Sequence, residues 1–248
     1  MHPNISISHF VINIYDIVIF LSYIPASLYL YCNMTHLENV KKEHVLTMLL
    51  AGLPVHYAGG LVIPFFANWI YGHHPLTLGA FLFAGRYFHS VFLVMLAYIL
   101  IYCRACRWPT AKVLDHLAVA TMIMSSIGRI GCFFQGCCRG TPASLPWCVR
   151  FPDDPGVCVH PVQLYMFFLE AGLAVFLWKM NQKKKYDGFT FWIGVLSYSI
   201  YRFLIEFVRT NPVFVASSFQ GYPFPVTHAQ AFSIGAIVLA LIALARHD

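Results

Sequence analysis

The sequence predicts an all-α integral membrane protein with about seven transmembrane helices, its amino terminus outside and its carboxyl terminus in the cytoplasm. Of the 248 residues, 59% are hydrophobic and only 10% are charged, whereas roughly 25% of a typical soluble domain is charged. Apolar stretches long enough to cross a hydrocarbon core of about 30 Å recur along the whole chain. We therefore expect residues 1–248 to form a single transmembrane domain, without a separate soluble one.

Seven stretches have the length and apolar character of transmembrane spans. The first lacks a small-residue cleavage pattern, so we expect a retained span and not a cleaved signal. The third is long enough for its part before Gly85 to form a partial or re-entrant segment, which lipid tolerates only when protein or water covers the backbone. The predicted spans are residues 10–32, 45–66, 77–103, 111–127, 162–179, 188–208 and 227–245.

The distribution of Lys and Arg predicts the orientation. Of the 16 such residues, ten lie after the first, third and fifth spans or at the carboxyl end, which all face one side. The positive-inside rule makes that side the cytoplasm. The opposite side receives the amino terminus and the connections 68–76, 128–161 and 209–226. The ten cytoplasmic cations are Lys41, Lys42, Arg104, Arg107, Lys112, Lys179, Lys183, Lys184, Lys185 and Arg246.

The six remaining cations are all arginine. A guanidinium group stays charged and can grip a phosphate or carboxylate in two places, whereas lysine acts as a point charge. This set therefore suggests that an oxyanion binds near the outer leaflet. The net charge of +6 reflects anchoring on the cytoplasmic side and says nothing about nucleic acid. The six are Arg86, Arg129, Arg139, Arg150, Arg202 and Arg209.

A polar stripe is predicted on the sixth span. Tyr198, Arg202 and Glu206 are spaced four apart, and Arg209 follows seven residues after Arg202, so a helix places them on one face. One interpretation is an internal ion pair between Arg202 and Glu206 that locks two helices together. The other is a functional site, because an ionisable residue within the membrane is costly and usually marks one.

The segment VHPVQLY, residues 159–165, predicts the start of a helix. His160 precedes Pro161, and proline is tolerated in the first turn because its missing N–H has no partner there. Gln163 and Tyr165 then point from the first turn toward the outer face. Substrate binding and a purely structural cap both remain open for this segment.

His89 is a candidate general base. Its unperturbed pKa suits proton transfer near neutral pH, and Arg86 lies about one helical turn earlier. A hydrogen-bonded core histidine is the alternative.

Four segments resemble, in order, the signature blocks of the prolipoprotein diacylglyceryl transferase family. The similarity is strongest between His89 and Gln230 and thin in the first two spans. The separation of 40 residues between His89 and Arg129 also suits the family pattern. The four segments are GRIGCFFQGCCRG, HPVQLY, YSIYRFLIEFVR and THAQAFSIG.

The resemblance implies a seven-span enzyme of the bacterial inner membrane with its active site toward the outer face. Such an enzyme takes the diacylglyceryl group from phosphatidylglycerol, a membrane lipid, and releases glycerol 1-phosphate. The acceptor is the thiol of the lipobox cysteine in a prolipoprotein signal peptide. The resemblance implies no metal, no diffusible cofactor and no nucleic acid.

The resemblance also assigns roles to individual residues. The catalytic candidates are His89, Arg129 and Arg202. The two arginines would stabilise the negative charge that gathers on the leaving phosphate, and His89 would promote ionisation of the attacking thiol. The substrate-binding candidates, by resemblance or position, are Tyr15, Arg86, Gly140, His160, Gln163, Tyr198, Glu206, Arg209 and Gln230.

Several positions depart from the family pattern and remove hydrogen-bonding groups expected around the lipid head. An alternative is therefore a paralogue that keeps the lipid donor but uses a different acceptor. The departures are Leu61 for an arginine, Ser90 and Val91 for two glycines, Cys132 for an asparagine, Cys137 for an acid, and Met166 for an acid, with Glu170 one turn later.

Five of the eight cysteines fall in the outer connection, where an oxidising compartment permits disulfides. Cys148 and Cys158 flank a proline-rich turn and are the first pair expected to join. Cys103 and Cys106 form a CxxC motif on the cytoplasmic side, but a zinc site there would need two further ligands.

Two rival functions are weighed against the transferase. A membrane thiol oxidoreductase would use Cys137 and Cys138, but it leaves the six arginines unexplained. A transporter for an anionic solute would use Arg129 and Arg202 as its binding pair, but it does not account for His89 or for the order of the motifs.

Overall fold

The computed structural model of the chain describes residues 4–7, 10–70, 88–209 and 227–246. These residues are mostly helical, with two short antiparallel hairpins. The helices are α1 (Ile14–Met34), α2 (Lys42–Ile70), α3 (Phe88–Cys106), α4 (Thr110–Gln135), α5 (Val162–Asn181), α6 (Phe189–Ile205) and α7 (His228–Ala245). The strands are β1 (Asn4–Ile7), β2 (Phe10–Asn13), β3 (Val149–Phe151) and β4 (Asp154–Val159).

Four of the described helices are long and apolar enough to cross a membrane. They are α1, the Lys42–Val62 part of α2, α4 and α5. Large apolar side chains also cover the outer surfaces of the helices: Phe168 is 69% exposed and Ile101 is 67% exposed. Apolar surface of this extent needs a lipid or protein covering. The length and apolar character of these helices confirm the predicted class, an all-α multi-pass membrane protein.

Two helix boundaries near the predicted site differ from the predicted spans. Residues 10–13 are not helical, because β2 pairs with β1 in an antiparallel hairpin and α1 begins only at Ile14. The fourth helix continues to Gln135, eight residues beyond the predicted end at 127, so that Arg129 and Cys132 belong to its last turns. Residues 77–87 of the third predicted span lie outside the described residues.

The chain divides into two compact units, one of which is Tyr31–Val113. Within it, α2 packs closely against α3 at Gly59, where an added Cβ would lie 3.1 Å from the Cβ of Val94. The hydroxyl of Ser90 donates a hydrogen bond to the Gly59 carbonyl. A side chain at position 59 would therefore crowd Val94 where these two helices meet.

The other unit comprises Met1–Leu30 and Leu114–Asp248. Helix α4 packs against α1 at Gly131, where a Cβ would lie 3.2 Å from the Cβ of Val18. Helix α6 approaches α5 at Gly194, where a Cβ would lie 3.1 Å from Leu177. The core between α4 and α5 contains Val119, Met122, Ala174 and Leu177.

A buried carboxylate fixes the start of α6 against α4. Asp115 has a side chain that is 0% exposed and accepts hydrogen bonds from the backbone N–H groups of Gly188 at 2.8 Å and Phe191 at 2.9 Å. The Lys184 ammonium donates to the same carboxylate at 2.8 Å. Negative charge at a helix amino terminus is stabilising because the first N–H groups have no partners within the helix.

The second hairpin lies in the connection between α4 and α5. Strands β3 and β4 pair in antiparallel fashion, with Val149 opposite Val159. A disulfide joins Cys148 to Cys158 across this hairpin, with the two Cα atoms 5.5 Å apart. The disulfide expected from the sequence is thereby confirmed.

Candidate functional site

Arg129 is held by a buried carboxylate on the neighbouring helix. Its Nε donates to both carboxylate oxygens of Glu170, at 3.0 and 3.3 Å, and its Nη2 donates to Oε1 at 2.9 Å. The Glu170 side chain is 0% exposed and that of Arg129 only 13% exposed. Two charges removed from water in this way need a geometrically good pairing. Nη1 of Arg129 makes no hydrogen bond to the described residues.

Two tyrosines of α6 surround this ion pair. The Tyr201 hydroxyl donates to Oε1 of Glu170 at 2.6 Å, so the carboxylate is fixed from two helices. The ring of Tyr198 lies 5.0 Å from that of Tyr201 in an edge-to-face arrangement. Tyr198 interacts electrostatically with both Arg129 and Arg202. Both arginines proposed as catalytic therefore act electrostatically on the tyrosine of the predicted polar stripe.

The end of α6 carries a second arginine–glutamate pair. The guanidinium of Arg202 donates to Oε2 of Glu206, and both side chains are buried. Nη1 of Arg209 lies 3.9 Å from the same oxygen, too far for a hydrogen bond. The pair predicted from the spacing is formed, but its two members are four residues apart on one segment, so it does not lock two helices together.

Arg209 is the least neutralised of these cations. Its Nε is buried and has no hydrogen-bond partner among the described residues. Burial lowers the pKa of Arg209, and the positive charges of Arg202 and Arg129 lower it further. The thiol of Cys138 and the Glu206 carboxylate oppose this effect. The positive charges of Arg202 and Arg129 are therefore near enough to Arg209 to disfavour its charged form.

The other members of the six-arginine set lie elsewhere. Arg139 pairs with Asp153 at 2.5 Å and sits over the Phe151 ring, 4.4 Å from its centroid, so that it anchors the disulfide-bonded hairpin. Arg150 is exposed on β3, and Arg86 lies outside the described residues.

Gly140 joins the connection after α4 to the end of α6. It forms a backbone bridge with Arg209, and its N–H donates to the His160 carbonyl at 3.0 Å. A Cβ at position 140 would lie 2.5 Å from the Cβ of His160, closer than side chains approach. The next N–H, of Thr141, donates to the Val208 carbonyl at 2.9 Å. This close approach places Arg209 beside the arginine motif.

The HPVQLY segment contributes at the start of α5. The Gln163 side chain donates to the Cys137 carbonyl at 2.6 Å, while its Oε1 is buried without a partner among the described residues. Nδ1 of His160 lies 3.3 Å from the Tyr165 hydroxyl, which accepts from Nε1 of Trp147 at 2.8 Å. Gln163 therefore holds the cysteine-containing loop, and His160 belongs to a network at the hairpin.

Three free cysteines lie next to the arginines. The sulfur atoms of Cys132, Cys137 and Cys138 all lie within 4.8 Å of one another. Hydrogen bonds from the thiols of Cys132 and Cys137, together with the positive charges of Arg209 and Arg129, lower the pKa of Cys138. The hydrogen bond with Cys132 raises the pKa of Cys137 in turn.

The last three predicted site residues lie in three different parts of the fold. Tyr15 packs against the arginine motif, where a Cβ on Gly131 would lie 3.3 Å from its ring. The Gln230 side chain accepts from the Thr227 N–H at 3.1 Å and completes a capping box at the start of α7. His89 lies in α3, in the other compact unit. The roles assigned to these residues stay predictions.

Sequence reasoning did not identify the partners of Arg129. In the sequence, Glu170 appears only as an acid one turn after Met166, where the family pattern has an acid. The signal that Glu170 neutralises a cation was its isolation in an apolar span. Tyr201 follows Tyr198 by three residues, so helical spacing places both on adjoining faces. The contact between Tyr201 and Glu170 depends on how α5 and α6 pack, which periodicity alone does not specify.

Comparison with known proteins identifies the family of the chain. The family model described as "Prolipoprotein diacylglyceryl transferase" matches residues 4–246. The chain belongs to this family. The resemblance drawn from the four sequence motifs is thereby confirmed, and an enzyme of the transferase class is indicated.

Individual members of the diacylglyceryl transferase family resemble the chain to different extents. A phosphatidylglycerol–prolipoprotein diacylglyceryl transferase of Clostridium tetani is 34% identical over 116 residues, 45% of this chain and 47% of that protein. The enzyme of that name from Cereibacter sphaeroides (strain ATCC 17025) is 31% identical over 82% of this chain and 76% of its own length. That of Wolbachia pipientis is 27% identical over 90% of this chain and 87% of its own length. The first match therefore spans about half of its relative, and the other two span most of theirs.

Proposed function

We propose that the chain transfers the diacylglyceryl group of phosphatidylglycerol to the thiol of a prolipoprotein lipobox cysteine and releases glycerol 1-phosphate. Family membership and the names of the relatives support this reaction. The observation that carries the proposal is a set of three largely buried arginines, Arg129, Arg202 and Arg209, whose side chains are only 13%, 8% and 10% exposed and whose charges all act on Tyr198.

The charge of this cluster matches a phosphodiester. Three guanidinium groups face two buried carboxylates, Glu170 and Glu206, which leaves a surplus of one positive charge. A phosphatidylglycerol phosphate carries a single negative charge. Nη1 of Arg129 can donate to its oxygens, and so can Nε of Arg209, which is buried without a partner among the described residues. A buried donor without a partner costs free energy until an acceptor arrives.

The same donors would favour the transition state. The acceptor sulfur attacks the glyceryl carbon, the bond from that carbon to the phosphate oxygen breaks, and the electron pair leaves with glycerol 1-phosphate. Negative charge on the phosphate grows from one toward two, so positioned arginines bind the transition state more tightly than the ground state. Glu170 and Tyr201 hold Arg129 in place before the reaction and so limit the reorganisation required.

The remaining assignments extend this proposal. The acceptor loses a proton to a base, for which His89 remains the candidate. Tyr15, Arg86, Gly140, His160, Gln163, Tyr198, Glu206 and Gln230 remain the candidates that position the lipid.

Seven spans, an external amino terminus and a cytoplasmic carboxyl terminus are proposed for a single domain in the bacterial inner membrane. The active site faces outward, and no nucleic acid takes part. The cations on the cytoplasmic connections support this orientation.

A reconstituted assay tests the reaction. Purified protein is incubated with headgroup-labelled phosphatidylglycerol and a lipobox peptide, and we expect release of labelled glycerol 1-phosphate with formation of a thioether-linked diacylglyceryl peptide. A peptide with serine in place of the lipobox cysteine is the control and should give neither product. Absence of both products after the protein is incubated with the labelled lipid and the cysteine-containing peptide would refute the proposal.

An acceptor other than a lipobox cysteine is the second candidate, because thiols replace polar groups near Arg129. Release of glycerol 1-phosphate with a small thiol, but not with the lipobox peptide, would identify it. Movement of phosphatidylglycerol headgroup analogues across vesicles without cleavage would instead indicate a transporter.

A further inference from the structure

Three thiols form a compact cluster that the transfer reaction does not require. Cys132 is buried in the last turn of α4, and Cys137 and Cys138 are half-buried in the connection that follows. Their sulfur atoms all lie within 4.8 Å of one another. Two of the three, Cys132 and Cys137, stand at positions where the chain departs from the family pattern described above.

The backbone is shaped to bring these thiols together. After α4 ends at Gln135, Gly136 adopts a positive φ of 70° and Cys138 one of 58°. A left-handed conformation is costly for a residue other than glycine and is maintained only where the surroundings require it. The Gln163 side chain fixes the turn by donating to the Cys137 carbonyl at 2.6 Å. The turn returns both sulfur atoms to Cys132.

The spacing suits a metal ion with tetrahedral thiolate ligands. Zinc–sulfur bonds of about 2.3 Å place neighbouring sulfur atoms about 3.8 Å apart in a tetrahedron. Sulfur atoms within 4.8 Å therefore reach this geometry through contraction of about 1 Å or less, which small side-chain rotations supply. Cys137 and Cys138 are half-buried, and so their thiols are not fully closed off from the surface. Three protein ligands leave the fourth position open to water or another donor.

We propose that Cys132, Cys137 and Cys138 together bind a thiophilic divalent cation, Zn²⁺, through three thiolates. Binding exchanges three thiol protons, which pass to solvent, for three zinc–sulfur bonds, so the complex carries one negative charge. Soft sulfur ligands select this type of ion over Mg²⁺ or Ca²⁺.

A disulfide is the competing use of these thiols. Cys148 and Cys158 are joined in the same connection, whereas Cys132, Cys137 and Cys138 remain free. Cys137 and Cys138 are adjacent in sequence, and adjacent cysteines rarely pair with each other. A metal ion uses all three thiols, whereas a disulfide leaves one over.

Cobalt binding tests the proposal directly. Full-length protein in detergent is reduced, freed of reductant and titrated with Co²⁺ alone, and we expect a thiolate-to-cobalt charge-transfer band in the near ultraviolet that added Zn²⁺ removes. The variants Cys132→Ser, Cys137→Ser and Cys138→Ser should each weaken cobalt affinity by roughly tenfold or more. The control Cys103→Ser removes a buried thiol in the other unit and should leave the titration unchanged.

A second measurement avoids dependence on the variants folding. In the unaltered protein, Zn²⁺ should protect Cys137 and Cys138 from alkylation by iodoacetamide, measured residue by residue by mass spectrometry, while the exposed Cys32 reacts at the same rate with and without Zn²⁺. Equal alkylation of Cys137 and Cys138 in both conditions would overturn the proposal. A cobalt band that persists in all three substituted variants would also overturn it. The same holds if the cluster contains a disulfide and its reduction yields no cobalt band.

Discussion

Replacing Glu170 by glutamine should destabilise the protein strongly. The carboxylate is 0% exposed and accepts three hydrogen bonds of 3.3 Å or less from Arg129 and one of 2.6 Å from Tyr201. Glutamine keeps the shape and one acceptor oxygen but leaves the buried guanidinium without a counter-charge. Removing one partner of a buried ion pair lowers the free energy of unfolding by about 3–5 kcal/mol. Because glutamine keeps some of the hydrogen bonds, we expect Glu170→Gln to lower it by about 3 kcal/mol.

The free energy of unfolding is measured by denaturant titration in detergent, with tertiary structure followed by near-ultraviolet circular dichroism. Glu38→Gln is the matched control, since Glu38 is exposed, and should change stability by less than about 0.5 kcal/mol. A double-mutant cycle with Arg129→Gln isolates the pair. We expect the double variant to lose about 2–3 kcal/mol less unfolding free energy than the two single variants lose together. A coupling of this size is at the upper end of the range for residues in contact. Additive effects would refute the proposed coupling.

Three other substitutions test separate parts of the structure. Arg129→Lys should lower kcat/KM by at least about tenfold while the protein stays folded, because lysine keeps the charge but not the planar fork; full activity in the lipid-release assay would contradict the phosphate role. Gly140→Ala should destabilise the protein by about 1–3 kcal/mol, because the new methyl group would lie 2.5 Å from the Cβ of His160; an unchanged unfolding free energy would show that this approach is not tight. Asp115→Asn should cost about 3 kcal/mol by leaving Lys184 and the first turn of α6 without their counter-charge, and a denaturation midpoint equal to that of the parent would contradict it.

Much of the helical framework follows from the sequence, because long apolar stretches in a chain with few charges have few alternatives to spanning helices. The Arg202–Glu206 pair follows from the four-residue spacing, and the Cys148–Cys158 disulfide follows from two cysteines flanking a turn. Such features depend only on local geometry. The sequence pattern therefore specifies them without knowledge of how the helices pack.

Features that depend on contacts between distant segments were not predictable in the same way. The pair Arg129–Glu170 joins residues 41 positions apart. Arg129 faces α5 only because α4 continues beyond residue 127. The N-terminal hairpin was also missed, because the apolar residues 10–12 of β2 run directly into the apolar span that follows. Strand pairing there depends on a partner segment that hydropathy does not reveal.

Binding of glycerol 1-phosphate tests most directly whether the arginine cluster binds the lipid phosphate. Isothermal titration calorimetry compares the unaltered protein with Arg209→Gln and with the control Arg150→Gln, whose arginine is exposed on β3. A charge-assisted hydrogen bond contributes about 1.5–3 kcal/mol, so Arg209→Gln should weaken binding by at least about tenfold and Arg150→Gln should leave it unchanged. Equal affinity in all three proteins would contradict the account.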